Sequence, residues 1–576
     1  MSLSASELQS IRLRPPRLLF GKAIDERVAG LLLLIAAGAL SVFLLLPLGA
    51  ILLGSVRTDD GGITLNRFAA FFAMPGMLGA IGNTLWVSAL VTAITVPLAF
   101  LYAYAIQRSC MPLRGAFRLI GMSPLLGPSL VGAISFIQWF GTQGVLKSWL
   151  FGHSVYGPIG IVISAVYACF PHAFMILLVA LAAADGRLYE AADALSASRW
   201  RKFATITLPG AKYGLISAAM VVFSYTVSDF GIPKVIGGNF QVLAVEIYIQ
   251  VVGQQHFDRG AVIAILLLVP VLVAFLIDAQ VQRRQQASLT ARAVPYVPRR
   301  DARRDSLLLL YCSLLAIALL GVVGMTAYTS LVRFWPYNRE LTLNHYLFGL
   351  ADAGVLDAYA NSLRIAGLTA LCGTPFIFVC AHLLEHGRQR RSALAAAVQA
   401  MATLPMGVPG LVLGIGYILF FNSPHNPLGG IYHTLAIMVI ANVVHYYTSC
   451  HLTSLTALKS IDREFDAVSA SLKVSRFVTF WRVTLPLCLP AVLDIARYLF
   501  VNAMTTVSAL VFLYSPQTMP ASVSILNLDE AGEMGPATAM ATLIVLTSAI
   551  VSLAYTVITH FLLKRHQGWR HTGRKP

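Results

Sequence analysis

The sequence predicts an all-α polytopic membrane protein, with about twelve transmembrane helices in two parallel six-helix repeats, on three observations. First, 57% of the 576 residues are hydrophobic and 12% charged, with a mean hydropathy of +0.73, which leaves too little polar surface to cover a water-soluble globule. Second, long apolar runs recur, and a hydrocarbon core about 30 Å thick takes roughly 20 helical residues to cross. Backbone groups in lipid must be paired internally, and strongly apolar 20-mers suit helices better than barrel strands. Third, the chain resembles itself across its middle.

Taken in order, residues 1–27 form a basic leader without a small-residue cleavage site, so the run after it is expected as a retained helix rather than a signal peptide. Spans follow near 28–56, 83–106, 118–140, 158–183, 213–230, 259–280, 306–332, 360–383, 393–420, 431–456, 488–512 and 537–563. Placing the leader in the cytoplasm puts roughly 33 of the 42 Lys and Arg on that side and about 6 outside, the bias of the positive-inside rule. The net charge of +17 then encodes orientation, with both termini cytoplasmic, and is no nucleic-acid footprint. The loop near Asp529, Glu530 and Glu533 is acidic and expected outside. Outer loops mostly under about 30 residues are too short for an independent domain, so capture of a dilute solute falls to another molecule or to the pore itself. Seven cysteines form no CxxC pair and read as small buried residues, with neither disulfide framework nor metal site.

The stretch from Arg283 to Asp305 is polar, basic and proline-containing and reads as a solvated linker. Asn83 begins "NTLWVSALVTAI" and Asn361 begins "NSLRIAGLTALC"; Ser123 begins "SPLLGPSLVGAI" and Leu404 begins "LPMGVPGLVLGI"; Leu208-Pro209 answers Leu485-Pro486. The offsets of 278, 281 and 277 are near-constant, which makes duplication the economical explanation. The expected domains are 28–282 and 306–563, joined by the linker 283–305 and followed by a basic tail, 564–576. An even number of spans per half keeps both copies facing the same way. Proline and glycine clusters at Pro124 to Pro128 and Pro405 to Gly410 break regular hydrogen bonding in the third span of each half, either as ordinary kinks or as walls of a pathway.

Between the fourth and fifth spans of each half the apolar character is interrupted. In the first loop Leu188, Ala192 and Leu195 recur at helical spacing, the phase breaks at Ser196 to Ser198, and Trp200, Phe203 and Ile206 begin a second face. In the second, Phe465, Val468 and Leu472 precede the same break and Phe477, Phe480 and Val483 follow it. A broken amphipathic phase means two short helices meeting at a turn, and Pro209 and Pro486 are expected to end the second of them. One such loop fits an interfacial helix under the headgroups; two copies ending in the same Leu-Pro do not.

The first loop resembles the signature of permease subunits of binding-protein-dependent ATP-binding-cassette importers, whose fold is called MetI-like. That signature is E-A-A, three residues, G, nine residues, I, any residue, L-P. Here it falls on Glu190, Ala191 and Ala192, then Ser196 at the glycine position, then Ile206, Leu208 and Pro209. Counting back from Leu485 and Pro486, the second copy has Val483, Lys473 at the glycine position, and Ala467, Val468 and Ser469 at the E-A-A positions, with Glu464 and Asp466 nearby. The resemblance covers nearly the whole chain. It implies a fused permease pair in a bacterial inner membrane, each elbow coupling to one of two copies of a cytoplasmic ABC ATPase, with solute delivered by a periplasmic binding protein. If the turn needs a left-handed residue, a non-glycine there costs on the order of 1 kcal/mol; a right-handed turn is the alternative. No GxxxxGK[ST] phosphate loop occurs, so the chain is expected to be no enzyme and to carry no cofactor, with ATP and Mg2+ bound by the partner ATPase.

For the pathway, the densest polar cluster within spans is Asn442, His445, Tyr446 and Tyr447, with Tyr167 and His172 in the corresponding fourth span. Asp494 and Arg497 can pair with each other, and Arg364 can snorkel. Overall likeness favours 2-aminoethylphosphonate as solute, with ferric iron or a polyamine as alternatives. A secondary transporter also carries parallel six-span repeats, but the paired elbows and the scarcity of mid-membrane acids speak against it. A membrane enzyme lacks a Ser/His/Asp or metal constellation.

Overall fold

The structure, a computed structural model, describes residues 17–57, 62–288, 294, 296–349, 354–386, 392–424, 426–462, 464–472 and 474–566. Apolar runs form helices because a helix alone satisfies its own backbone in lipid. The first half contains α1 (Arg17–Leu40), α2 (Leu46–Val56), α3 (Asn66–Ala73), α4 (Met77–Arg108), α5 (Arg114–Gly121), α6 (Ser129–Phe140) and α7 (Pro158–Ala182). It continues through α8 (Gly186–Ala194), α9 (Arg199–Lys202), α10 (Leu208–Ser228), α11 (Gly231–Ile236), α12 (Leu243–Tyr248) and α13 (Phe257–Ser288). The second half begins with α14 (Ala302–Leu331), a short hairpin of β1 (Val332–Phe334) and β2 (Asn338–Leu341), α15 (Val355–His386), α16 (Ala393–Thr403) and α17 (Gly410–Phe421). It ends with α18 (Leu435–His445), α19 (Tyr447–Lys459), α20 (Glu464–Ser471), α21 (Arg476–Thr479), α22 (Leu485–Thr505), α23 (Ala521–Glu530) and α24 (Met534–His566).

Nine helices among the described residues are long and apolar enough to cross a membrane, and two bent pairs bring the number to eleven. α16 and α17 meet at 115°, α18 and α19 at 53°. The expected third span, 118–140, is not one helix: α5, a 3-10 turn at Ser123–Leu126 and α6 replace it. At 12 residues α6 is only about 18 Å long. The cause is Pro128, which forces Gly127 out of the helical region and lets a new helix begin at Ser129. Pro409 does the same before α17.

Two further expectations need correction. Pro209 and Pro486 do not end a helix: the chain is helical from Arg199 to Ser228 and from Arg476 to Thr505, so the eleventh span starts earlier and stops earlier than 488–512. A π-turn precedes each proline, at Phe203–Thr207 and Phe480–Thr484, where Leu208 N–H donates to the Phe203 carbonyl and Leu485 N–H to that of Phe480. The widened turn makes room for the ring and tolerates its missing N–H. Of the cysteines, Cys372 is exposed and Cys110 half-buried, while the other five are buried. The helix α1 already begins at Arg17, within the expected leader, and α24 runs to His566; residues 1–16 and 567–576 lie outside the described residues.

Each half has its own bundle, α4, α7, α10 and α13 in the first and α15, α19, α22 and α24 in the second. The first helices are exchanged. α1 packs on α15 and α16, and α2 on α17, where Tyr417 donates to the Phe43 carbonyl at 2.7 Å. Conversely α14 packs on α4, α5 and α6, and Ser135 Oγ donates to the Val322 carbonyl at 2.8 Å. At the end away from the elbows, Lys234 on α11 pairs with Glu530 on α23 at 2.7 Å, joining the halves there as well. Exposed side chains such as Leu34, Leu314, Leu371 and Leu553 cover the outside of the bundle, as a lipid-facing surface requires.

Candidate coupling elbows and central cavity

The first elbow is built by two caps around one strained residue. Asp185 caps α8, its carboxylate accepting from Arg187 N–H at 3.1 Å, and Ser198 caps α9 by accepting from Arg201 N–H at 3.3 Å. Between them Ser196 takes φ +53°, the left-handed conformation. Ser196 N–H donates to Asp193 O and Ala197 N–H to Ala192 O, the paired bonds of a Schellman turn. The glycine position of the signature therefore does demand a left-handed residue, and serine holds it under strain. Ser196→Gly relieves about 1 kcal/mol of that strain but adds backbone freedom to the unfolded chain, for a net gain of roughly 0.5 kcal/mol. A melting temperature in detergent at or above that of the unaltered protein is expected; a clear fall would show that the serine side chain holds the turn.

The second elbow repeats the construction. Ser475 caps α21 by accepting from Val478 N–H at 3.3 Å, and Val474 N–H donates to Ser469 O, the longer bond of the same turn. Lys473 lies outside the described residues, as does the side chain of Asp466.

The two elbows occupy equivalent positions in their halves. Glu190, Ala191, Leu208, Pro209, Glu464, Ala467 and Pro486 are exposed, while Ala192, Ile206, Val483 and Leu485 are half-buried. Each elbow shows a patch of large apolar side chains: Leu195 at 82% and Trp200 at 74% exposure in the first, Leu472 at 70% and Phe477 at 64% in the second. The first is also anchored from inside by buried Tyr189, whose hydroxyl lies 2.9 Å from Thr207 Oγ1. Tyr189 falls beside the signature, and only its position next to Glu190 hinted at it.

One asymmetry was not legible in the sequence. The second part of the expected linker is not free but crosses the base of the first elbow. Gly186 N–H donates to the Val294 carbonyl at 2.8 Å, and Asp301 pairs with Arg199 at 2.5 Å. Buried Arg108 lies 4.9 Å from the Tyr189 ring and 4.4 Å from the Tyr296 ring, and donates to the Leu181 carbonyl at 2.8 Å. Asp193 is hydrogen-bonded by Lys202, which holds its carboxyl below the usual carboxylate range.

Between the halves lies a cavity of about 310 Å³. Both proline and glycine breaks wall it, Pro124 to Ser129 from one half and Pro405 to Gly410 from the other. Tyr167, His172, His445 and Tyr446 line it, whereas Asn442 and Tyr447 do not. The bend between α18 and α19 separates them: it turns His445 and Tyr446 toward the cavity and Asn442 and Tyr447 into the core, both at 0% exposure. Tyr447 packs there against Phe376 and His451, with ring centroids at 6.1 and 5.8 Å. Arg497 pairs with Asp494 at 3.2 Å, and Arg364 donates to Asn361 Oδ1 at 3.4 Å.

Several lining residues escaped the sequence. Tyr225, Asp229 and Asp278 come from the first half, and Tyr498, Asn502 and Thr506 from the second. Asp229 and Thr506 are 277 residues apart, the repeat offset, so the same position carries a carboxylate in one half and a hydroxyl in the other. Ser129 Oγ donates to Asp229 Oδ1 at 3.1 Å, and the Tyr446 and Thr506 hydroxyls bond to each other. Asp278 escaped although a signal for it exists, a lone acid inside an apolar span being an expensive group. Asp229 was hidden because it sits where a span was expected to end.

A family model described as "Binding-protein-dependent transport system inner membrane component" matches residues 124–287 and again 373–564. The "Ferric transport system permease protein FbpB" of Actinobacillus pleuropneumoniae is 29% identical over 499 residues, 82% of this chain and 70% of that protein. The "Putative ferric transport system permease protein FbpB 1" of Haemophilus influenzae is 30% identical over 465 residues, covering 76% and 70%. The "Probable ABC transporter permease protein y4fN" of Sinorhizobium fredii is 23% identical over 563 residues, covering 92% and 95%.

Proposed function

From the premise that the chain belongs to the family of binding-protein-dependent transport system inner membrane components, we propose that it is the fused permease pair of an ATP-driven importer of ferric iron. It is a transport subunit of the inner membrane and not an enzyme. Two copies of an ABC ATPase dock on the elbows around Glu190 and Glu464 from the cytoplasm, binding ATP and Mg2+ themselves, and a periplasmic protein delivers the solute. Closure of the ATPase pair rocks the halves about the cavity. Work is transmitted only because the elbows contact the ATPase differently in its two states.

The observation that carries the substrate is the charge of the cavity. Asp229 and Asp278 line it and, among the described residues, no Lys or Arg does. Such a wall repels a phosphonate and suits a cation. The names of the two FbpB relatives point the same way. This reading displaces 2-aminoethylphosphonate, whose phosphonate finds no cationic partner there.

The test is uptake in liposomes containing the chain, its ATPase and its binding protein. ATP-dependent entry of radioactive ferric iron is expected, with no entry of labelled 2-aminoethylphosphonate; the reverse result rejects the ferric reading.

A further inference from the structure

We propose that Asp229 and Asp278 form a two-station relay for a hard, oxygen-ligated cation along the first half's wall of the cavity, an inference that rests on the cationic-substrate reading above. Both carboxylates line the cavity, and each keeps one buried oxygen without a hydrogen-bond partner, Oδ2 of Asp229 and Oδ1 of Asp278. Asp278 is only 2% exposed. Its other oxygen accepts from Gln282 Nε2 at 2.7 Å, as that of Asp229 accepts from Ser129. One oxygen of each acid is thus held in place, while the other, with Ser217 beside Asp278 and the backbone N–H groups of Phe230, Gly231 and Ile232 beside Asp229, makes no hydrogen bond of good geometry and is left for a ligand. A buried acceptor with no donor is costly, and a passing cation satisfies it.

The stations lie at different depths. Asp278 on α13 neighbours Ser217 on the adjoining helix α10, and Asp229 follows the end of α10. Twelve residues of helical rise separate Ser217 from Asp229, about 18 Å along the axis. The stations are therefore consecutive and do not chelate one ion together. Among the described residues no group of three or more His, Cys, Asp or Glu is placed to hold a metal. Single-carboxylate contacts suit conduction, where an ion must be attracted into a site and still leave it. Facing the relay, the second half supplies neutral oxygens from Tyr446, Tyr498, Asn502 and Thr506, which replace part of the hydration shell without trapping the ion.

Backbone N–H groups of Phe230, Gly231 and Ile232 lie around the Asp229 carboxylate, so a purely structural capping role must be separated from ion contact. Asn preserves the capping oxygen and removes the charge; Glu preserves the charge. Terbium(III), a hard trivalent ion whose emission is sensitised by nearby tyrosine, is the probe, titrated into the full chain in detergent. Saturable sensitised emission is expected, with apparent affinity at least fivefold weaker in Asp229→Asn and in Asp278→Asn and retained in Asp229→Glu. Equal titrations for all four proteins overturn the relay, as does equal loss in the Asn and Glu variants of Asp229, which marks a structural residue. The titration needs neither iron nor partner proteins. If terbium binds as expected but the intact transporter moves no iron, the ferric reading fails alone; if iron moves and the titration ignores both acids, the relay fails alone.

Discussion

Leu195→Asp in the first elbow removes most ATP-driven uptake. The side chain is 82% exposed, at the tip of a turn fixed by Ser196 and capped by Ser198, so the change alters the elbow's surface and not its fold. If the apolar patch is where the ATPase docks, an aspartate there buries an unpaired charge on association. A central apolar contact of this kind is worth about 2 kcal/mol, or roughly 30-fold in affinity. The ATPase should no longer co-elute with the purified chain at micromolar concentrations, and uptake should fall at least tenfold. Leu472→Asp poses the same question for the second elbow, and Glu190→Gln tests the charge beside the first. Normal co-elution and uptake in both leucine variants would remove the elbows from the mechanism.

The second large effect is structural. Gly416→Val drives α17 away from α2, the exchanged first helix. A Cβ at Gly416 already meets the Pro47 carbonyl oxygen at 2.8 Å and its carbon at 3.0 Å, and backbone cannot swing aside as a side chain can. Helices in lipid rely on such close approach of small residues because no hydrophobic force draws them together. Overpacking of this kind costs about 1–3 kcal/mol, and valine's two further methyl groups place it at the upper end. Gly49→Ala on α2, where an added Cβ meets nothing within 4 Å, is the control. A melting temperature in detergent well below that of the control is expected, and equal melting would show that the exchanged helix contributes little to stability.

Legibility divided along the line between local and long-range physics. Apolar runs long enough to cross a bilayer, the repeat offsets of 277 to 281 and the paired elbow motifs are local or periodic properties, so the sequence carried them. The place of the turn at Ser196 was legible too, because the motif marked a position where glycine is usual, but its left-handed conformation, with φ +53°, was decided by the structure. The helices that continue through Pro209 and Pro486 were not legible, because the expected proline clash is that of an ideal α-helix, while a π-turn relieves it.

By itself the sequence determined the class, the duplication and the place of the elbows, since each follows from side-chain hydropathy and chain-local geometry. The tertiary structure alone decided which polar groups share a space. Only a 53° bend parts His445 from Tyr447, only the exchange of α2 and α14 tells which half holds which, and only the packing of α10 beside α13 brings Asp229 and Asp278 to one wall. Those outcomes depend on how helices far apart in the chain fit together, and no residue's own preference encodes that.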